Sequence, residues 1–179
     1  MRLSGLILCL LFVFSGTNAQ KAFSTDIEIK TGVVFVVENI YYSSTNWYMD
    51  PQSKSALDTL VLFLNRNEKL QIEISNHFPP EPKYEYSLTL CYKRAQSVVD
   101  YLIENGIDAD RLVPRGYGKT TPYVVPQKTK YFKKGTVLTE EFIASLRDES
   151  VRAEANRLNT RTQIKILRTD FTLKPTPKN

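Results

Sequence analysis

The chain has 179 residues, enough for one domain with a sizeable core, and a formal charge of +5 with one histidine and two cysteines. So few soft ligands leave no basis for a metal site, and none is expected. The mild positive excess, without a basic helix or an aromatic platform, argues against nucleic acid and suits an acidic polymer or a membrane surface.

The first 19 residues read as a secretory signal peptide. Met1 and Arg2 make a positive start, residues 3–14 are mostly apolar, and residues 15–19 are small and polar ahead of a cut before Gln20. The apolar run is too short to span a bilayer. Cys9 lies inside it behind Leu8, where a lipidation signal needs a small residue. Losing Arg2 lowers the side-chain charge to +4. Cys91 is then the one cysteine left, so export does not staple the fold with an internal disulfide. The mature chain is expected in the periplasm without a transmembrane segment, any attachment to the outer membrane being made through a partner.

Residues 33–40 (VVFVVENI) are β-branched and nearly continuously apolar, which predicts a strand buried on both faces. A polar, aromatic loop follows. Asp50 then caps a helix that starts at Pro51 and carries Leu57, Leu60, Val61 and Leu64 on one stripe. Leu70, Ile72 and Ile74 alternate with Gln71, Glu73 and Ser75 as a second strand. Prolines 79, 80 and 82 exclude regular structure. A second helix is predicted over residues 86–105, with Leu90, Cys91, Ala95, Val98, Val99 and Leu102 inward and Gly106 as its C-cap.

Residues 111–115 predict a short strand limited by Pro114, before a turn at Gly116 and Gly118. Residues 119–134 read as a surface excursion. Thr139 caps a third helix with Glu140 and Glu141 in its first turn. Thr162, Ile164 and Ile166 alternate as the last strand. The tail from Lys174 has nothing to bury. The order β-α-β-α-β-α-β predicts an α/β (α+β sandwich) fold, with parallel strand pairs in one mixed sheet and helices packed on it. The domain is expected over residues 33–168, after a lead of residues 20–32 and before a tail of residues 169–179.

Four pieces in order carry a resemblance. They are ENIYY with the following tryptophan and helix, LQIEIS, LCYKRAQSVVDYLIENGIDADRLVPRGYG, and NTRTQIKI. Together they resemble the peptidoglycan-binding domain of the outer-membrane-protein-A-like (OmpA-like) family. KKGTVLTEEFIASL resembles an insertion found in a subset of these domains. The resemblance implies an envelope protein that is not an enzyme, needs no cofactor, and has peptidoglycan or other envelope proteins as partners.

In the family an aspartate after the second strand and an arginine of the second helix hold the stem peptide. A carboxylate and a guanidinium side by side complement the ammonium and carboxylate on one carbon of diaminopimelate. Arg94 matches the arginine. The aspartate falls on His77, preceded by Asn76, and the family glycine that follows is replaced by the Phe78-Pro79-Pro80 segment. The first loop, acidic in many members, carries Ser43 and Thr45 here, and of two arginines opening the last strand only Arg161 is kept. Arg94, Asn76, His77, Ser43, Thr45 and Arg161 are therefore the candidate ligand-binding residues. Losing one partner of a buried charge pair costs about 2–5 kcal/mol, a factor of roughly 30 to several thousand in affinity. Glu81 and Glu85 are the nearest acids that could substitute.

Two readings of function stay open. One is stem-peptide binding through an altered pocket. The other is a degenerate domain used as an interaction module. An open polar pocket around Arg94 favours the first; a salt bridge from Arg94 to one of this protein's own acids favours the second. A third reading, a Cys91–His77 enzyme, lacks an orienting group and needs a cysteine that faces the core.

Overall fold

The computed structural model describes residues 29–43, 46–78 and 84–173, with the side chains of residues 84–87 left aside. The expected signal peptide, Thr45, Glu81 and the tail from Lys174 lie outside the described residues, as does the side chain of Glu85. Four strands form one mixed sheet, β1 (Val34–Val37), β2 (Gln71–His77), β3 (Leu112–Gly118) and β4 (Arg161–Arg168), in the spatial order β1-β4-β2-β3. β2 runs parallel to β3 and antiparallel to β4, and β1 is antiparallel to β4. The expected fold class is the one found.

The helices are α1 (Lys54–Arg66), α2 (Tyr84–Glu104), α3 (Glu140–Ser145) and α4 (Glu149–Asn159). Asp50 accepts from the Gln52 amide at 2.9 Å and opens a single 3-10 turn, Pro51–Ser53, that leads into α1. Leu57, Leu60 and Leu64 are buried as the stripe requires, joined by Phe63, while Val61 is half-buried. α2 lays Leu90, Cys91, Ala95, Val98, Val99 and Leu102 against the sheet and ends at Gly106, whose φ of 88° is the left-handed conformation a C-cap uses. Ile72, Ile74, Ile164 and Ile166 complete the main core from the sheet side.

Five expectations change. β1 is an edge strand four residues long and is not buried on both faces; Val34 is 49% exposed. It ends where Asn39 takes a φ of 64°. The polar side of β2 is not a solvent face: Glu73 and Ser75 are buried. β3 continues through Pro114 to Gly118, since on an edge strand a proline's missing N–H removes no ladder bond. The third helix is two, broken after Leu146; Asp148 accepts from the Ser150 and Val151 amides and starts α4 anew. Residues 119–134 are not merely a surface excursion, because Val125 and Phe132 join Leu138, Ile143 and Ala155 in a second core.

Candidate functional site

Strand alternation separates the candidate residues. Asn76 and His77 are neighbours on β2, so their side chains leave opposite faces of the sheet. Their register partners on β4 are Thr162 and Arg161. Asn76 therefore shares a face with Thr162, Arg94 and the first loop. His77 shares the other face with Arg161, Ser75 and Tyr117. The six candidates do not converge on one pocket, and Thr45 lies outside the described residues.

On the helix face, Arg94 is 3% exposed. Its Nε donates to the Asn46 carbonyl at 3.0 Å and its Nη2 to the Ser43 carbonyl at 3.0 Å. The guanidinium carbon lies 4.8 Å from the centre of the Tyr42 ring and 5.0 Å from that of Phe78. Ser43 thus meets Arg94 through its backbone, and its residue is exposed. Tyr42 closes the arrangement: its hydroxyl donates to the Arg94 carbonyl at 3.3 Å and is 3.4 Å from Thr162 Oγ1. Burial drives the Tyr42 phenol up to about 12, so it stays protonated. Asn76 Nδ2 donates to Thr162 Oγ1 at 3.1 Å, and Asn76 Oδ1 has no hydrogen-bond partner among the described residues.

Beside this cluster, a cleft of about 640 Å³ is lined by Tyr42, Arg94, Tyr123, Arg157, Arg161 and Thr162, among others. Arg161, 8% exposed, donates from Nη1 to the Asn159 carbonyl at 3.1 Å and from Nη2 to the Thr121 carbonyl at 3.0 Å. Burial lowers its pKa to about 10, which still leaves it charged at neutral pH.

On the far face, His77 Nε2 is 3.3 Å from Ser75 Oγ, and the ring stacks on Tyr117 with centroids 5.2 Å apart. Burial, with the Arg161 charge beside it, pushes the His77 pKa down to about 3. The imidazole is therefore neutral and cannot stand in for the missing carboxylate. The Tyr117 hydroxyl donates to Glu73 Oε1 at 3.0 Å. Cys91 is buried in the core with its thiol raised to about 11 and lies on the opposite side of the sheet from His77. Among the described residues no group of three His, Cys, Asp or Glu is placed to hold a metal, and no helix is long and apolar enough to cross a membrane.

Sequence reading missed Phe78 and Tyr42 as the groups that enclose Arg94. The signal for Phe78 was the family glycine it replaces; an aromatic ring there fills the space a glycine leaves open. Trp47 is half-buried, with Lys93 Nζ 4.0 Å above its ring centre.

Residues 41–133, just over half of the chain, match the OmpA family. The chain is 29% identical over 97 residues to outer membrane protein A of Escherichia fergusonii, covering 53% of this chain and 40% of that protein. It is 27% identical over 92 residues to a peptidoglycan-associated lipoprotein of Rhizobium meliloti, covering 51% and 52%. It therefore spans about half or less of the length of these curated relatives. The fold is shared with the periplasmic domain of Helicobacter pylori MotB, with a TM-score of 0.53 at 15% identity over 78% of each chain. By its sequence match over more than half its length, this chain belongs to the OmpA family.

Proposed function

We propose that this is an exported, periplasmic protein of the cell envelope whose OmpA-like domain works as an interaction module, its family ligand site having been closed from within. The observation that carries this is the state of Arg94. Its guanidinium is buried between two aromatic rings and gives N–H groups to two carbonyls of the first loop. A stem-peptide carboxylate would have to displace those carbonyls and the Phe78 ring. The ammonium beside it would find Asn76 rather than an acid, since His77, at the position of the family aspartate, is neutral and turned to the other face of the sheet. The reading includes no chemical step and no cofactor.

Stem-peptide binding is the second reading. It is favoured by the cleft that brings Arg94 to Arg161, Tyr42 and Thr162, and by a relative named as peptidoglycan-associated. Co-sedimentation with purified peptidoglycan sacculi separates the two. The exported chain is expected to stay in the supernatant, as is Arg94→Ala, while Arg94→Ala also melts at lower temperature because the first loop loses its clasp. A wild type that pellets, with a folded Arg94→Ala that does not, overturns the closed site in favour of the second reading.

A further inference from the structure

The positive charge of this chain is concentrated in one place. Residues 123–137 carry four lysines and no acid, so +4 of the formal charge of +5 lies in a single segment. That segment is a built hairpin. The Val125 amide donates to the Thr136 carbonyl at 2.9 Å and the Gly135 amide to the Val125 carbonyl at 2.8 Å, while Val124 bridges Val137 antiparallel. Thr129 holds the turn: its amide donates to the Phe132 carbonyl, and the Phe132 amide donates to Thr129 Oγ1, each at 2.9 Å. Val125 and Phe132 are buried in the second core and fix the hairpin to the domain. Lys128, Lys130, Lys133 and Lys134 are all left exposed, and none of them makes an ion pair among the described residues. Asp148, the acid whose charge reaches Lys130, is already engaged by the Ser150 and Val151 amides as the cap of α4.

We propose that this hairpin is a peripheral docking surface for the headgroups of an anionic phospholipid bilayer. Charge calls for a polyanion, and the apolar groups on the same hairpin select the bilayer. Tyr131, in the turn, is 38% exposed, and Val124 and Val137, paired across the stem, are 53% and 42% exposed. An aromatic ring among lysine stems suits a bilayer interface, where the ring meets the acyl boundary and the ammonium groups meet phosphates. The cations are also all lysines. A lysine is a point charge on a long flexible stem, which suits headgroups that move past one another, whereas the planar fork of an arginine suits a carboxylate fixed on a protein surface. The hairpin holds no arginine. The contact is direct, where sequence alone suggests attachment through a partner.

Flotation of the exported chain with lipid vesicles tests this. Binding is expected to vesicles of phosphatidylglycerol and phosphatidylcholine but not to phosphatidylcholine alone, and it should fall as salt rises. Each lysine of the four changed to glutamine should weaken binding by up to about fivefold. All four changed together should abolish it with the melting temperature unchanged, because none of them lies in a core. Heparin, a soluble polyanion, is the control: Tyr131→Ser should weaken binding to vesicles and not to heparin. A wild type that ignores the anionic vesicles overturns the proposal, as does a folded four-glutamine variant that still floats with them. Vesicle binding that is equal in Tyr131→Ser and wild type also overturns it, since the hairpin would then serve an acidic polymer rather than a bilayer.

Discussion

Three arginines are buried in this small domain, and all three donate to main-chain carbonyls. Arg94 holds Ser43 and Asn46, Arg161 holds Asn159 and Thr121, and Arg111 donates to Leu64, Asn67 and Leu70 where α1 ends and β2 begins. Sequence identifies an arginine but not that its partners are carbonyls, which every residue possesses. That is why Arg94 and Arg161 read as ligand residues and Arg111 went unremarked. His77 offers a sharper test at this scale, because it is the one histidine in the chain. Unfolded, it titrates near 6.5; folded, burial lowers it to about 3. Between those values the unfolded chain binds the extra proton. Its contribution to stability is complete above pH 6.5 and is lost progressively as pH falls towards 3, by at most about 1.4 kcal/mol per pH unit. Urea midpoints taken from pH 7.5 to 4.5 should fall with acid in the wild type and stay nearly level in His77→Gln. A wild-type midpoint level across that window would mean that His77 is accessible to protons in the folded state.

At the scale of elements, patterns that depend on local chemistry were legible and patterns that depend on a neighbour were not. The stripe of α2 and its glycine cap follow from spacing and conformation alone. The depth of β2 does not: Glu73 and Ser75 alternate as a solvent face should, yet Tyr117 and the chain after β3 cover them. Likewise nothing in the stretch after Thr139 announces two helices until Asp148 is seen capping the second. Gly116 is the element contact most open to test. A Cβ there would sit 2.4 Å from the Tyr92 amide nitrogen and 2.6 Å from the Leu88 carbonyl oxygen, both backbone atoms of α2. Gly116→Ala must push the helix off β3, and its expected cost is about 1–3 kcal/mol in a denaturant titration. An unchanged midpoint would show that α2 and β3 do not approach so closely.

At the scale of the whole molecule, the described residues form two cores where the sequence suggested one. The main core between sheet and helices was readable from apolar periodicity. The second, built from Val125, Phe132, Leu138, Ile143 and Ala155, was hidden because its residues are scattered among lysines and prolines and come together only when residues 121–138 turn back on α3 and α4. Asn159 sits where this second core joins the sheet, one residue before Thr160 and two before β4. It is buried, accepts from the Tyr123 amide at 2.8 Å and donates to the Leu138 carbonyl at 2.9 Å. Asn159→Ala would leave both backbone groups buried without a partner, at about 1–3 kcal/mol. The loss should be local. Amide exchange is expected to accelerate at Val125 and Leu138, whose amides bond within this unit, while Ile74 and Ile164 in the centre of the sheet keep their protection. Equal acceleration at all four would mean that the two cores unfold together and that residues 121–138 are an integral part of the domain's cooperative unit.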